Sequence, residues 1–290
     1  MSAPEDTLAR EAAAAEALPV PAEPRFLGLP VSIWPRILAP LVIGVLVLTL
    51  WELAVRWNDI PPYVLPGPLL IGRTLVEDWA TLSASLWVTL RITFLALAAA
   101  ILIGVALAVL FSQSKWLEMA LLPYAIVLQV TPIVAIAPLI IIWADDIDLS
   151  LLICAWIVAF FPILSNTILG LSAADHNLVN LFELYGASRW QTLRYLKLPA
   201  ALPYFLAGLK VSGGLALIGA VVAEFVAGTG GNASGLAYRI LEAGYQLKIP
   251  RVFAALAMIS LSGVAIFLAT SLISHLLLRR WHETALRREN

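Results

Sequence analysis

Four polar side chains, Gln129, Thr131, Asn166 and Glu224, stand inside runs of otherwise apolar residues, and Pro132 follows Thr131 directly. Polar groups are costly in hydrocarbon, so each of these residues is a candidate for lining or gating a translocation path. Glu224 is open to three readings: neutral, paired with an arginine, or placed at the water interface. Other chemistry is poorly supplied. His176, His275 and His282 make no metal-ligand spacing, and no Ser and His fall into a recognisable catalytic set. The single cysteine, Cys154, excludes an internal disulfide and reads as a small packing residue. No G-x-x-x-x-G-K-[ST] loop occurs, so the chain carries no ATPase motif of its own. The glycine-rich GTGGNASG at 228–235 lacks the lysine and Ser/Thr of such a loop and reads as a flexible turn. These residues fit transport rather than catalysis, with no resident cofactor and no metal.

The elements that must position them are membrane spans. The composition is 61% hydrophobic and 13% charged, with mean hydropathy +0.91, whereas charged residues make up about 25% of an ordinary soluble domain. A net charge of −1 gives no hint of a nucleic-acid partner. Six stretches approach or exceed the roughly 20 residues needed to cross a bilayer: 37–55, 86–111, 117–143, 149–171, 204–227 and 252–278. Pro123, Pro132 and Pro138 in the third and Pro162 in the fourth predict kinked helices whose freed carbonyls are satisfied by neighbours. Residues 1–30 read as a mobile tail without a secretory signal, 31–281 as the transmembrane domain and 282–290 as a second tail. An even number of spans puts both termini on one side. Twelve of the 18 Lys and Arg residues fall on that side, which the positive-inside rule makes cytoplasmic.

On the fifth span, Gly208, Ser212, Ala216, Ala220 and Glu224 recur every four residues. Such a small-residue ridge serves close helix packing, either within the chain or at a dimer seam.

One charged segment interrupts the apolar sequence: ELYGASRWQTLRYLKLPAALP, 183–203. It completes a cytoplasmic loop at 172–203. Leu178, Leu181, Phe182 and Tyr185 share a helical face, and Gly186 permits the left-handed turn that ends that helix. Ser188 and Gln191 have the spacing of a capping box, which starts a second helix. Leu198-Pro199 and Pro203 are expected to end it before the fifth span. Two short helices joined by a fixed bend either lie on the lipid surface or dock into a groove on a cytoplasmic partner.

The run from Gly186 through Ala187, Ser188, Arg189 and Trp190 to Leu196, Leu198 and Pro199 resembles the signature loop of binding-protein-dependent ABC transporter permeases. That pattern is glycine, nine residues, an aliphatic residue, one residue, then Leu-Pro. GASRWQTLRYLKLPAALPYFLAGLK is similar to the subgroup that serves sulfonates, taurine, nitrate and pyrimidine precursors of thiamine. LPGP at 65–68, QVTPIVAIAPL at 129–139 and AVVAEFVAG at 220–228 extend the likeness over about 35–280. One departure is clear. The family's Glu-Ala-Ala opening falls on Asn180, Leu181 and Phe182, and Glu183 stands nearby as the acidic substitute.

The resemblance implies an all-α membrane protein of six transmembrane helices with the type I ABC importer permease (MetI-like) fold. The loop would be a coupling helix seated on a cytoplasmic ABC ATPase dimer that binds ATP and Mg. A periplasmic or lipid-anchored binding protein would deliver a small solute, and a second permease copy would complete the path in the bacterial inner membrane. An ion-coupled secondary transporter is the rival from another class. It would ordinarily show internal repeats or mid-membrane carboxylates; no repeat is evident, and only Glu224 qualifies.

Overall fold

A computed structural model describes residues 25–26, 29–30, 34–227 and 234–279. Most of the expected tail at 1–30, all of that at 282–290 and most of the turn at 228–235 therefore lie outside the described residues. At the start of the helix that follows, Ser234 and Gly235 are buried. The chain divides into two units, 1–59 and 60–290. In the first, β1 (Arg25–Phe26) pairs antiparallel with β2 (Leu29–Pro30). The helix α1 (Trp34–Trp57) follows. From residue 38 to residue 50 its side chains are exposed around the whole circumference, as suits an apolar helix that faces lipid. Arg56 Nε donates to Glu52 Oε1 at 2.6 Å, which neutralises the one carboxylate in this span.

Every secondary-structure element described in the second unit is a helix. Its elements are α2 (Pro68–Glu77), α3 (Trp79–Gln113), α4 (Lys115–Val130), α5 (Ile133–Ala144), α6 (Ile147–Ser172), α7 (His176–Leu184), α8 (Arg189–Thr192), α9 (Leu198–Ala227), α10 (Leu236–Tyr245) and α11 (Ile249–Leu278). A π-turn at Leu193–Lys197 joins α8 to α9. The core is the stack of α3, α6 and α9. Along α3, Ile92 and Ala96 cluster with Leu151, Cys154 and Ala155, while Phe111 clusters with Leu171. The two helices are thus antiparallel. Cys154 is buried in this contact, which matches its reading as a packing residue.

The fifth-span ridge packs on α6. A Cβ on Gly208 would stand 2.7 Å from Pro162 O, and Ser212 Oγ donates to Ala159 O at 2.7 Å. Ala216 and Ala220 are 0% exposed within the single chain. Within the chain, the ridge is therefore covered by α6. Pro162 stays inside a continuous α6; Ser212 reaches the carbonyl next to the one the proline frees, and Asn166 Nδ2 donates to Pro162 O at 2.9 Å.

The third span differs from expectation. It is no kinked helix over 117–143 but two helices, α4 and α5, meeting at 103°. Thr131 and Pro132 are extended at the break, with ψ of 124° and 116°. Proline disfavours helical backbone at the residue before it, so Thr131 leaves the helix and Pro132 opens the next one. Pro123 and Pro138 lie within helices and do not break them. The pair still crosses the bundle. Lys115 adjoins the end of α3 near Phe111, whereas α6 begins at the opposite end, where Arg91 Nη2 lies 3.4 Å from Asp148 Oδ2. The intervening segment must connect those two ends.

At that far end, Arg251 at the start of α11 grips Asp78, the corner between α2 and α3. Nε to Oδ2 is 2.6 Å and Nη2 to Oδ1 is 2.7 Å. Both side chains are about four-fifths buried, and two-pronged pairing of this kind is the stronger form of ion pair. Arg251→Ala is expected to destabilise the folded protein by about 1–3 kcal/mol. Thermal unfolding in detergent checks this, and an Arg251→Ala, Asp78→Ala double variant should lose less than the sum of the two single changes.

Candidate functional site: the bent loop and the rod it continues into

The loop begins with Asp175, whose side chain accepts from Asn177 N at 2.7 Å and caps α7. Leu178 and Leu181 are each 44% exposed, and Leu184 and Tyr185 are each 84% exposed. This helix therefore shows much of its apolar surface to solvent. Its end is closed by two backbone bonds, Ala187 N to Phe182 O at 2.9 Å and Gly186 N to Glu183 O at 3.0 Å. That pair is a Schellman closure, and it requires the left-handed φ of +69° found at Gly186.

The next helix starts with the capping box read from the sequence. Gln191 N donates to Ser188 Oγ at 3.3 Å, and Ser188 N donates to Gln191 Oε1 at 2.7 Å. Two closures separated by a single residue fix the bend without help from tertiary contacts. Arg189 and Trp190 are exposed. Glu183 is also exposed and makes no ion pair among the described residues. Ala187, Leu196 and Leu198 are half-buried, and Pro199 is exposed.

The expected stop at Leu198-Pro199 and Pro203 does not occur. Helix runs from Arg189 to Ala227 as one 39-residue element, about 57 Å at 1.5 Å per step. The π-turn accounts for this. Leu198 N bonds back five residues to Leu193 O, which re-phases the backbone and leaves Pro199 at the second position of α9. A missing N–H costs little at the start of a helix. Leu193 roots the turn at 1% exposure, in one cluster with Phe111, Leu171 and Ala201. A cavity of about 520 Å³ lies beside it, lined by Ser112, Lys115, Glu118, His176, Val179 and Lys197.

The polar residues singled out as path candidates do not form one cluster. Gln129, Thr131 and Pro132 sit at the α4–α5 break, where Gln129 is exposed and Thr131 Oγ1 donates to Val127 O at 2.6 Å. Asn166 lies at the crossing of α6 and α9, against Gly208. Glu224 is 2% exposed at the far end of α9, so it borders no open wall of this chain. Its partner is not an arginine but the N-terminus of α10: Ala237 N donates to Glu224 Oε2 at 3.0 Å. Thr89 Oγ1 accepts from Leu236 N at 3.0 Å, so the two neighbouring amides of α10 are held by two different side chains.

Sequence reading missed the rest of this network, in which Arg239 Nε donates to Ser85 Oγ at 3.0 Å and Nη1 donates to Glu242 Oε2 at 2.9 Å. Its one local trace was the i, i+4 spacing of Ser85, Thr89 and Thr93 in an apolar helix.

An all-helical bundle with several apolar spans, a broken third crossing and a rigid bent loop at one end defines a multi-pass membrane transport subunit. The model of the binding-protein-dependent transport system inner membrane component family matches residues 100–283, and the chain belongs to that family. It is therefore the permease component of an ABC importer in the inner membrane.

The chain is 34% identical to the riboflavin transport system permease protein of Chloroflexus aurantiacus, over 88% of this chain and 94% of that one. It is 31% identical to the formylaminopyrimidine transport permease protein of Halalkalibacterium halodurans, over 83% and 95%. With the putative aliphatic sulfonates transport permease protein of Bacillus subtilis it shares 30%, over 77% and 80%. The fold matches the MetNI methionine ABC transporter in an inward-facing form, with TM-score 0.58 and 17% identity, over 69% of this chain and 98% of the matched one. This is the MetI-like, type I importer fold.

Proposed function

We propose that the bent loop at 172–203 is the coupling element of this importer, seated on a separate cytoplasmic ATPase dimer. The observation that carries the reading is the exposed apolar surface of Leu178, Leu181, Tyr185 and Trp190, held on a bend fixed by its own backbone closures. An apolar face on a rigid knob gains by entering a groove on a partner, because little ordering remains to be done on binding. Glu183, Arg189 and the Leu196–Pro199 segment flank that face. ATP and Mg belong to the partner. The excess of Lys and Arg on the side of both termini supports a cytoplasmic loop. A second copy of the permease would complete the translocation path, and an external binding protein, periplasmic or lipid-anchored, would supply affinity for the solute.

Gln129, Thr131 and Pro132 are proposed to border that path. The break in α4–α5 interrupts the helix at depth, an arrangement tolerated where the backbone is buried in protein or faces water. The solute is a small molecule of the kinds carried by the relatives: a sulfonate, taurine or nitrate, or a heterocycle. The identities of 34% and 31% to relatives named for riboflavin and formylaminopyrimidine favour the heterocycle.

Reconstitution with the ATPase and binding protein tests the reading. Solute should accumulate in proteoliposomes only with hydrolysable ATP. Uptake by the permease alone on an ion gradient would establish a secondary transporter instead. Calorimetric titration of the binding protein with a flavin, a pyrimidine, taurine, an alkanesulfonate and nitrate identifies the solute class.

A further inference from the structure

We propose that Glu224 is a positioning residue for transport: it ties the outer helix α10 to the α8–α9 rod, so that a stroke received at the bent loop reaches the opposite end of the permease. The inference rests on the importer reading above. Arg189 and Glu224 lie near opposite ends of one continuous helical element. At the far end, two successive amides of α10 are held by two different helices: Leu236 N by Thr89 of α3, and Ala237 N by Glu224 of α9. Helix α10 is thus strung between the rod and α3. Movement of the rod relative to α3 has to tilt α10 or break one of the two bonds.

The join is tight and desolvated. Thr89 and Leu236 are 0% exposed and Glu224 is 2% exposed. A Cβ on Gly235 would collide with the Glu224 carboxylate, so any larger residue here would push that carboxylate off its present seat. The carboxylate also faces the N-terminal end of α10, where negative charge is favoured. The other face of α10 rests on α11 through Leu236, Ala254, Ala255 and Met258. Farther along the same helix, Arg239 is bonded to Ser85. A shift passed to α10 is therefore felt across the far end of the bundle.

The experiment uses the complete transporter in proteoliposomes, with a spin label on a Tyr245→Cys variant reporting α10. Tyr245 is 87% exposed, so the label itself is tolerated. Glu224→Ala is expected to lower the number of solute molecules moved per ATP at least tenfold and to abolish the label's response to ATP trapping. Glu224→Gln, whose amide oxygen can still accept from Ala237 N, should recover at least a third of the wild-type ratio. A purely structural role would lower uptake and hydrolysis together and leave their ratio unchanged, and that result would overturn the proposal.

Wild-type uptake per ATP and a wild-type label response in Glu224→Ala would overturn it as well. If Glu224→Ala does not fold, Thr89→Val, which removes the other tether, must reduce the label response at least twofold, and an unchanged response sinks the idea. Failure of the wild-type complex to use ATP would instead count against the importer reading.

Discussion

Gly186→Val is expected to lower ATP-driven uptake at least tenfold while membrane insertion and protein yield stay near wild type. The residue sits at φ +69°, and apart from the adjoining residues no atom lies within 4 Å of where a Cβ would be. Space is therefore not the obstacle. A β-branched side chain in the left-handed region costs about 1–3 kcal/mol. The chain can avoid that cost by giving up the bonds from Gly186 N to Glu183 O and from Ala187 N to Phe182 O. Without them α7 no longer holds its angle to α8, and the exposed apolar face of the knob loses its fixed aim. Asparagine tolerates the left-handed region better than most residues, so Gly186→Asn should fall between wild type and valine. Uptake and ATP hydrolysis measured side by side make the test. Uptake by the valine variant within twofold of wild type would sink the rigid-bend account.

The second large effect is expected at Gly208, and it should appear in folding before transport. A Cβ there meets Pro162 O at 2.7 Å and Asn166 Cβ at 2.9 Å, so the obstacle includes backbone and not merely a flexible side-chain tip. Gly208→Leu would push α9 off α6. It would also stretch the bond from Ser212 Oγ to Ala159 O, which lies one turn further along. Small residues allow helices to approach in membranes, where packing replaces the hydrophobic drive. Overpacking of this kind costs about 3 kcal/mol. The expected result is loss of most monodisperse protein in detergent chromatography and a lowered thermal midpoint. Gly214 on the same helix is the control, because nothing lies within 4 Å of a Cβ there. Gly214→Leu should leave folded yield within twofold of wild type, and equal damage from both changes would refute the close-packing explanation.

Much of the loop could be read from its residues. The closure at Gly186 and the capping box of Ser188 and Gln191 are local devices; they bond residues at most five apart. Spacing is enough to reveal such features. The span positions are similarly legible, because a run of apolar residues needs no partner to declare itself. Reading failed where a local rule met a competing local geometry. Leu198-Pro199 signals a helix end, yet the five-residue π-turn before it re-phases the backbone and the helix continues. Three prolines in the third span look alike in sequence, and one of them, Pro132, marks the sharp break.

What the amino-acid sequence determined by itself was the membrane habit, the number of apolar stretches, the bent loop and the family pattern it carries. Each of these depends on composition or on residues a few positions apart. Only the tertiary structure decided that the small-residue ridge faces α6, that the third crossing is two helices at 103°, and that Glu224 is buried beneath α10. Those outcomes depend on residues brought together from distant parts of the chain, as when Thr89 accepts the amide of Leu236 across 147 positions. A polar residue in an apolar run announces that it needs a partner, and the fold alone selects which one.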